Sequence, residues 1–192
     1  ALPGTDLTWF EGGDGPFIHE TTTASIGKNS LFADVNGDGL DDLIKHSSGV
    51  VYTCLSIGGG EYDPSYTITG GPGYYVLFAD VNGDGKADLI KYDGSGWVYT
   101  YLSNGNGTYA GYKVQGGGAG NGAGYVNLAD VSGDGRADLI KHDSSGWVYT
   151  FLSNGDGTYK GGKVFGGGGG NGFNRVMFAD VNGDGRADLI KL

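Results

Sequence analysis

Apolar and aromatic residues along this chain fall in short runs cut by glycine- and aspartate-rich turns, and the same order of runs recurs. The unit is clearest from Tyr75. Tyr75–Ala79 (Tyr-Val-Leu-Phe-Ala) reads as a strand, Asp80–Asp88 as an acidic loop, Leu89–Tyr92 as a second strand and Asp93–Gly96 as a turn. Trp97–Ser103 is rich in β-branched and aromatic residues and predicts a third strand; after the Asn104–Thr108 turn, Tyr109–Gln115 predicts a fourth. In the third strand Trp97, Tyr99 and Tyr101 alternate with Val98, Thr100 and Leu102, so neither face is polar. A sheet with one solvated face is greasy on one side only. Each four-stranded unit should therefore be sandwiched between neighbours.

The acidic loops begin at Asp34, Asp80, Asp130 and Asp180, 46, 50 and 50 residues apart. That period belongs to propeller blades, and four strands per period make one blade. The last repeat stops at Leu192, after two strands. The missing half is found at the other end: Thr8-Trp9-Phe10, Glu11–Gly15 and Phe17–Ile26 align with Thr150-Phe151-Leu152, Ser153–Gly157 and the run from Tyr159. The expected fold is all-β, a four-bladed β-propeller with four-stranded blades, closed by pairing the N-terminal strands with the C-terminal half-blade so that no edge stays open. Residues 1–192 then form a single domain, with blades near 31–70, 75–115, 125–165 and 174–192 plus 1–28. A fragment of a larger ring is the competing reading.

Composition refines this picture. Glycine supplies 42 of 192 residues, but aromatics reach 12% and the glycines keep register with the strands, which separates the chain from disordered Gly-rich sequences. The net charge of −10 excludes a nucleic-acid binder that works by neutralising phosphates. The acids are also concentrated: twelve of the 22 Asp and Glu are the three aspartates of each loop. Four bound Ca²⁺ would bring −10 to −2, so the acidity reads as metal ligand. A single cysteine, Cys54, allows no internal disulfide, and no apolar run approaches a membrane-spanning length. The start at Ala1, without Met, fits a processed secreted chain.

Each loop has the form Asp-x-(Asn/Ser)-Gly-Asp-Gly-x-x-Asp. Calcium takes six to eight oxygens in flexible geometry, and a tight turn with alternate side chains inward offers them. The expected ligands are Asp34, Asn36, Asp38, the Leu40 carbonyl and Asp42; then Asp80, Asn82, Asp84, the Lys86 carbonyl and Asp88. The third set is Asp130, Ser132, Asp134, the Arg136 carbonyl and Asp138, and the fourth Asp180, Asn182, Asp184, the Arg186 carbonyl and Asp188. Ser132 is a weaker ligand than Asn, so the third site should bind least tightly. An EF-hand needs a bidentate Glu at position 12, where this chain has Lys45, Lys91, Lys141 and Lys191. With free calcium about tenfold above Kd, each site adds about 1.4 kcal/mol. Four sites would match a sizeable part of the roughly 5–15 kcal/mol net stability of a domain.

The run Phe-Ala-Asp-Val-Asn-Gly-Asp-Gly-x-Ala-Asp-Leu-Ile resembles the FG-GAP/VCBS repeat of integrin α-chain propellers and secreted microbial proteins, over essentially the whole chain. Among soluble relatives the chain is most similar to the integrin-like mushroom lectins. That resemblance implies sugar binding in clefts between blades. Those lectins have six or seven units and this chain four, so their sugar-site positions do not carry over.

The calcium loops and the Asn104–Thr108 type of turn should share one face. The opposite face carries Asp93–Gly96, Asp143–Gly146 and the crossovers Gly116–Gly124 and Gly166–Gly172. Sugar recognition uses an aromatic face with a few amide and carboxylate partners. Trp97, Trp147, Asp93, Asp143, Asn121, Asn171 and His142 are the candidate ligand contacts; both Trp as core between blades is the plainer alternative. The function expected is a secreted, calcium-dependent carbohydrate-binding protein, its partner a carbohydrate or glycoconjugate, with self-association a route to multivalency. The alternative is a non-catalytic propeller module that holds a protein or is appended to a secreted hydrolase. No Gly-x-Ser-x-Gly elbow and no Cys/His cluster supports an enzyme. Asn106-Gly107-Thr108 forms a glycosylation sequon on a predicted exposed turn.

Overall fold

A computed structural model describes residues 30–115, 126–143, 147–165 and 176–191. Among these residues there is strand and turn but no helix. The first unit is an antiparallel sheet of β1 (Ser30–Ala33), β2 (Asp42–Ser47), β3 (Val50–Cys54) and β6 (Thr67–Thr69), with a small hairpin, β4 (Ser56–Gly58) and β5 (Glu61–Tyr62), inserted before the last strand. The second unit comprises β7 (Tyr75–Ala79), β8 (Asp88–Tyr92), β9 (Val98–Tyr101) and β10 (Lys113–Gln115). The third comprises β11 (Val126–Ala129), β12 (Asp138–His142), β13 (Val148–Ser153) and β14 (Tyr159–Phe165). β15 (Val176–Ala179) and β16 (Asp188–Lys191) form a two-stranded sheet. Each unit is an up-and-down meander, as the spacing of turns predicts.

The register repeats from unit to unit. Leu43 pairs with Cys54, Leu89 with Tyr101 and Leu139 with Phe151. The second unit's third and fourth strands are shorter than the apolar pattern suggests. Trp97 lies just ahead of β9, and Ser103 meets Tyr109 only in an isolated bridge. The N-terminal strands expected to complete the fourth blade lie outside the described residues.

The core sits between sheets. One cluster joins Val35, Ile44 and Val51 of the first unit to Val76, Leu89 and Tyr101 of the second. The next joins Val81, Ile90, Tyr92 and Val98 of the second to Val126, Leu139 and Tyr159 of the third. Alternation along β8 explains this: Leu89 faces one neighbour and Ile90 the other, and all five β8 residues are buried. Burying an aliphatic side chain of this size stabilises by roughly 1.5–3 kcal/mol, so covering both faces doubles what each strand contributes. Two cross-unit hydrogen bonds of one design accompany the packing, Thr53 Oγ1 with the Tyr109 hydroxyl and Thr100 Oγ1 with the Tyr159 hydroxyl, both at 3.2 Å.

Candidate metal loops and ligand face

The acidic loops join the first two strands of each unit and share one geometry. The first aspartate folds its loop around itself: Asp34 Oδ1 accepts the Gly37 amide at 2.6 Å and Oδ2 the Gly39 amide at 2.8 Å. Asp80, Asp130 and Asp180 repeat both bonds. The two glycines stand at φ between 77° and 84° in all four loops, the left-handed region that a side chain resists. Asn36 Oδ1 accepts the Asp38 amide at 2.9 Å, and Asn82 and Asn182 do the same for Asp84 and Asp184. Asp38, Asp84, Asp134 and Asp184 each accept the amide of the position-7 residue, Leu40, Lys86, Arg136 and Arg186 respectively. Ser132 departs from the pattern: its hydroxyl turns to Asp130 Oδ1 at 3.3 Å, so the Asp134 amide keeps Asp130 Oδ1 at 3.2 Å but loses the second acceptor that Asn provides in the other loops.

The ninth position does something different. Asp42, Asp88 and Asp138 are fully buried. Asp88 Oδ2 accepts the Val81 amide at 3.0 Å and Oδ1 the Ser103 amide at 2.8 Å, tying the loop to the far end of the third strand. Asp42 holds Val35 and Ser56, and Asp138 holds Val131 and Ser153. Burial, together with the other loop carboxylates, pushes the Asp88 carboxyl up to about 6 even though two amides oppose the shift. Asp42 and Asp138 are raised for the same reasons.

These facts bear on calcium in two ways. The donor set, five oxygen-bearing positions in nine residues, has the chemistry of a calcium loop. The raised ninth carboxyl reflects burial first and the neighbouring carboxylates after it, both of which disfavour its charged form. Yet among the described residues no three acidic side chains are gathered to hold a metal ion. Backbone amides partner the first, fifth and ninth carboxylates of the loops instead. Oδ1 of the first aspartate already accepts two or more donors, whereas its Oδ2 accepts a single amide and keeps a lone pair for a second partner.

The loops also join the units. The Ala87 amide donates to the Asp34 carbonyl at 2.7 Å, Ala137 to Asp80 at 2.8 Å and Ala187 to Asp130 at 2.7 Å. Ser103 Oγ reaches back to the Val35 carbonyl and Ser153 Oγ to the Val81 carbonyl, each at 2.5 Å. Lys86 and Arg136 form ion pairs with Asp84 (2.7 Å) and Asp134 (2.5 Å), and their stems pass beside Gly37 and Gly83 of the preceding loops.

At the opposite sheet end two lysines take a buried role that the sequence reading did not give them. Lys91, at position 12, is fully buried; its ammonium donates to the carbonyls of Gly49, Gly70 (3.2 Å) and Gly71 (2.9 Å). Lys141 likewise donates to the Gly96 carbonyl at 2.6 Å. Burial holds both amines below the usual lysine range. Apolar flanks at Leu-Ile-Lys, with the lysine in strand phase with the inward Leu, were the available signal. At this end Asp93 Oδ1 accepts the amides of Ser95 (2.9 Å) and Trp97 (3.1 Å), and Asp143 Oδ1 accepts that of Trp147 at 3.1 Å. The indoles are presented on the surface, Trp97 at 43% and Trp147 at 41% exposure. His142, at 4%, lies beneath that surface. Asn121, Asn171 and the two Gly-rich crossovers lie outside the described residues.

Antiparallel four-stranded units, chained by acidic Asx-type loops, define a repeat protein of the propeller-blade type. The chain belongs to the FG-GAP-like repeat family, whose model matches residues 34–91, 80–141 and 142–190. No curated protein matches it. Among solved structures it is similar to an Agrocybe aegerita lectin that recognises non-reducing terminal N-acetylglucosamine. The TM-score is 0.70 at 28% identity over 84% of this chain, and the match spans 45% of the lectin, less than half its length. The Photorhabdus luminescens Tc holotoxin pore shares the fold at TM-score 0.64 and 22% identity, over 88% of this chain and 8% of that one. TcdB2-TccC3 follows at TM-score 0.54 and 20% identity, over 89% of this chain and 11% of that one.

Proposed function

We propose that the protein is a secreted, calcium-dependent carbohydrate-binding protein without catalytic activity of its own. In this reading the units form a four-bladed propeller whose fourth blade is completed by residues 1–28. The observation that carries the carbohydrate reading is the 28% identity with the Agrocybe aegerita lectin across 84% of this chain. The exposed indoles of Trp97 and Trp147, each set by the aspartate four residues before it, supply the kind of surface that sugar C–H groups stack on. Asp93, whose Oδ2 also accepts the Tyr99 hydroxyl at 3.4 Å, and Asp143 are the proposed polar partners for hydroxyls. Calcium at the four loops would offset the buried ninth carboxylates and act on stability, at the sheet ends away from the sugar.

The test is a glycan array with and without EDTA, with terminal N-acetylglucosamine among the first probes. Binding lost in W97A and W147A, with melting temperature kept, supports the reading. An empty array with a folded, calcium-loaded chain refutes it in favour of a protein-binding module. Loss of binding under EDTA without change in the fold would move calcium from the scaffold to the sugar site.

A further inference from the structure

We propose that Asn106 is an N-glycosylation site, carrying an oligosaccharide transferred from a lipid-pyrophosphate donor. The triplet Asn-x-Ser/Thr, with x other than Pro, occurs once in the chain, at Asn106-Gly107-Thr108. The structure adds three observations. The turn is exposed at Asn106, while Gly107 beneath it is buried against Thr67 and Leu55 of the first unit. It is closed by other atoms: the Asn104 amide donates to the Thr108 carbonyl at 3.0 Å, and Asn104 Nδ2 to Thr108 Oγ1 at 3.0 Å. Asn106 takes part only through its oxygen, Oδ1 accepting the Thr108 amide at 3.1 Å and the Thr108 hydroxyl at 2.6 Å.

The third unit provides the control. Its matching turn has Asp156 in place of Asn106, and Asp156 Oδ1 accepts the Thr158 amide at 2.9 Å and hydroxyl at 2.5 Å. An oxygen is all the turn requires. The carboxamide nitrogen of Asn106 is therefore surplus to folding, and Nδ2 donates no hydrogen bond among the described residues. Attachment there leaves every bond of the turn in place. In the transfer an Nδ2–C1 bond forms and the C1–O bond to the lipid pyrophosphate breaks. The lipid pyrophosphate leaves, and the amide proton passes to the transferase; nothing is oxidised or reduced. The turn stands on the loop side, with Gly105 beside Lys86, so the oligosaccharide projects away from Trp97 and Asp93.

This inference rests on the secreted reading. The experiment supplies the routing separately: the full chain is expressed in a yeast secretory host behind an added signal peptide, with a reporter sequon in a flexible C-terminal tag. Intact mass and glycosidase digestion are expected to show two occupied sites, one at Asn106. N106D, which keeps the turn as Asp156 does, loses one oligosaccharide; T108A loses the same one; D156N gains a third. A filled reporter with an empty Asn106 overturns the proposal, and failure of D156N to gain an oligosaccharide overturns turn geometry as its basis. Glycan-array binding plays no part in this readout, so either reading can fail alone.

Discussion

The two ends of each sheet obey different rules. At the loop end, four copies of one nine-residue sequence make nearly the same hydrogen bonds, and the ninth carboxylate is buried in the three complete units. At the other end the equivalent positions differ: Val50 against Trp97 and Trp147, and His46 against Tyr92 and His142. Repetition holds where loop side chains accept backbone amides, and variety appears at the opposite sheet end, both at exposed Trp97 and Trp147 and at buried Tyr92 and His142. The contrast puts the repeated hydrogen-bonded loops at one end and, at the other, the end on which the proposed recognition depends.

The sharpest way to break that contrast is Asp88→Ala. It strands the buried amides of Val81 and Ser103, and each unmet buried group costs about 1–3 kcal/mol. The expected loss is about 2–5 kcal/mol, or roughly 5–15 °C in Tm for a chain of this size. Trp97→Ala should stay within about 1 kcal/mol, since its ring is 43% exposed. Equal losses in chemical denaturation would show that the two ends are not divided as described.

Chelation comes next. Removing calcium should lower stability by about 1.4 kcal/mol for every site held at tenfold its Kd. A calorimetric trace unmoved by EDTA would leave the loops as self-sufficient Asx turns.

The pH dependence sharpens the same point. The Asp88 carboxyl stands at about 6 in the folded chain against an ordinary 3.8. Such a group favours the folded state while protonated, fully below 3.8, and the advantage fades as pH rises through about 6. Without metal, its share, at most about 3 kcal/mol, is lost between about pH 4 and 7. Asp42 and Asp138 act with the same sign. Added calcium, which needs the carboxylate, should stabilise increasingly across that window. Melting curves at several pH values in EDTA and in calcium check both slopes.

The smallest expected effect is Ser132→Asn. It restores the second acceptor for the Asp134 amide and should add about 0.5–1.5 kcal/mol. It should also tighten the third site in a calcium titration.

Much of this architecture could be read from the residues. Tyr75–Ala79 coincides with β7, and the apolar alternation read along Trp97–Ser103 pointed to units covered on both faces, which the two core clusters on either side of the second unit bear out. The loops were legible as loops because Gly and Asp spacing is local chemistry. Less could be read of the ninth aspartate, read in sequence as a ligand: its part as a buried brace does not show there, because its partner Ser103 lies fifteen residues away. Lys91 was opaque for a similar reason. A lysine reads as solvated unless one knows that three glycine carbonyls from the neighbouring unit surround it.

The main-chain bonds from Ala87 to Asp34, Ala137 to Asp80 and Ala187 to Asp130 have an evolutionary corollary. Each joint uses only peptide groups and the same two loop positions, so a copied blade arrives with both halves of its own fastening. Growth or contraction by one whole blade needs no invention at the seam. Members of such a lineage can therefore differ in blade number while their individual blades stay superimposable.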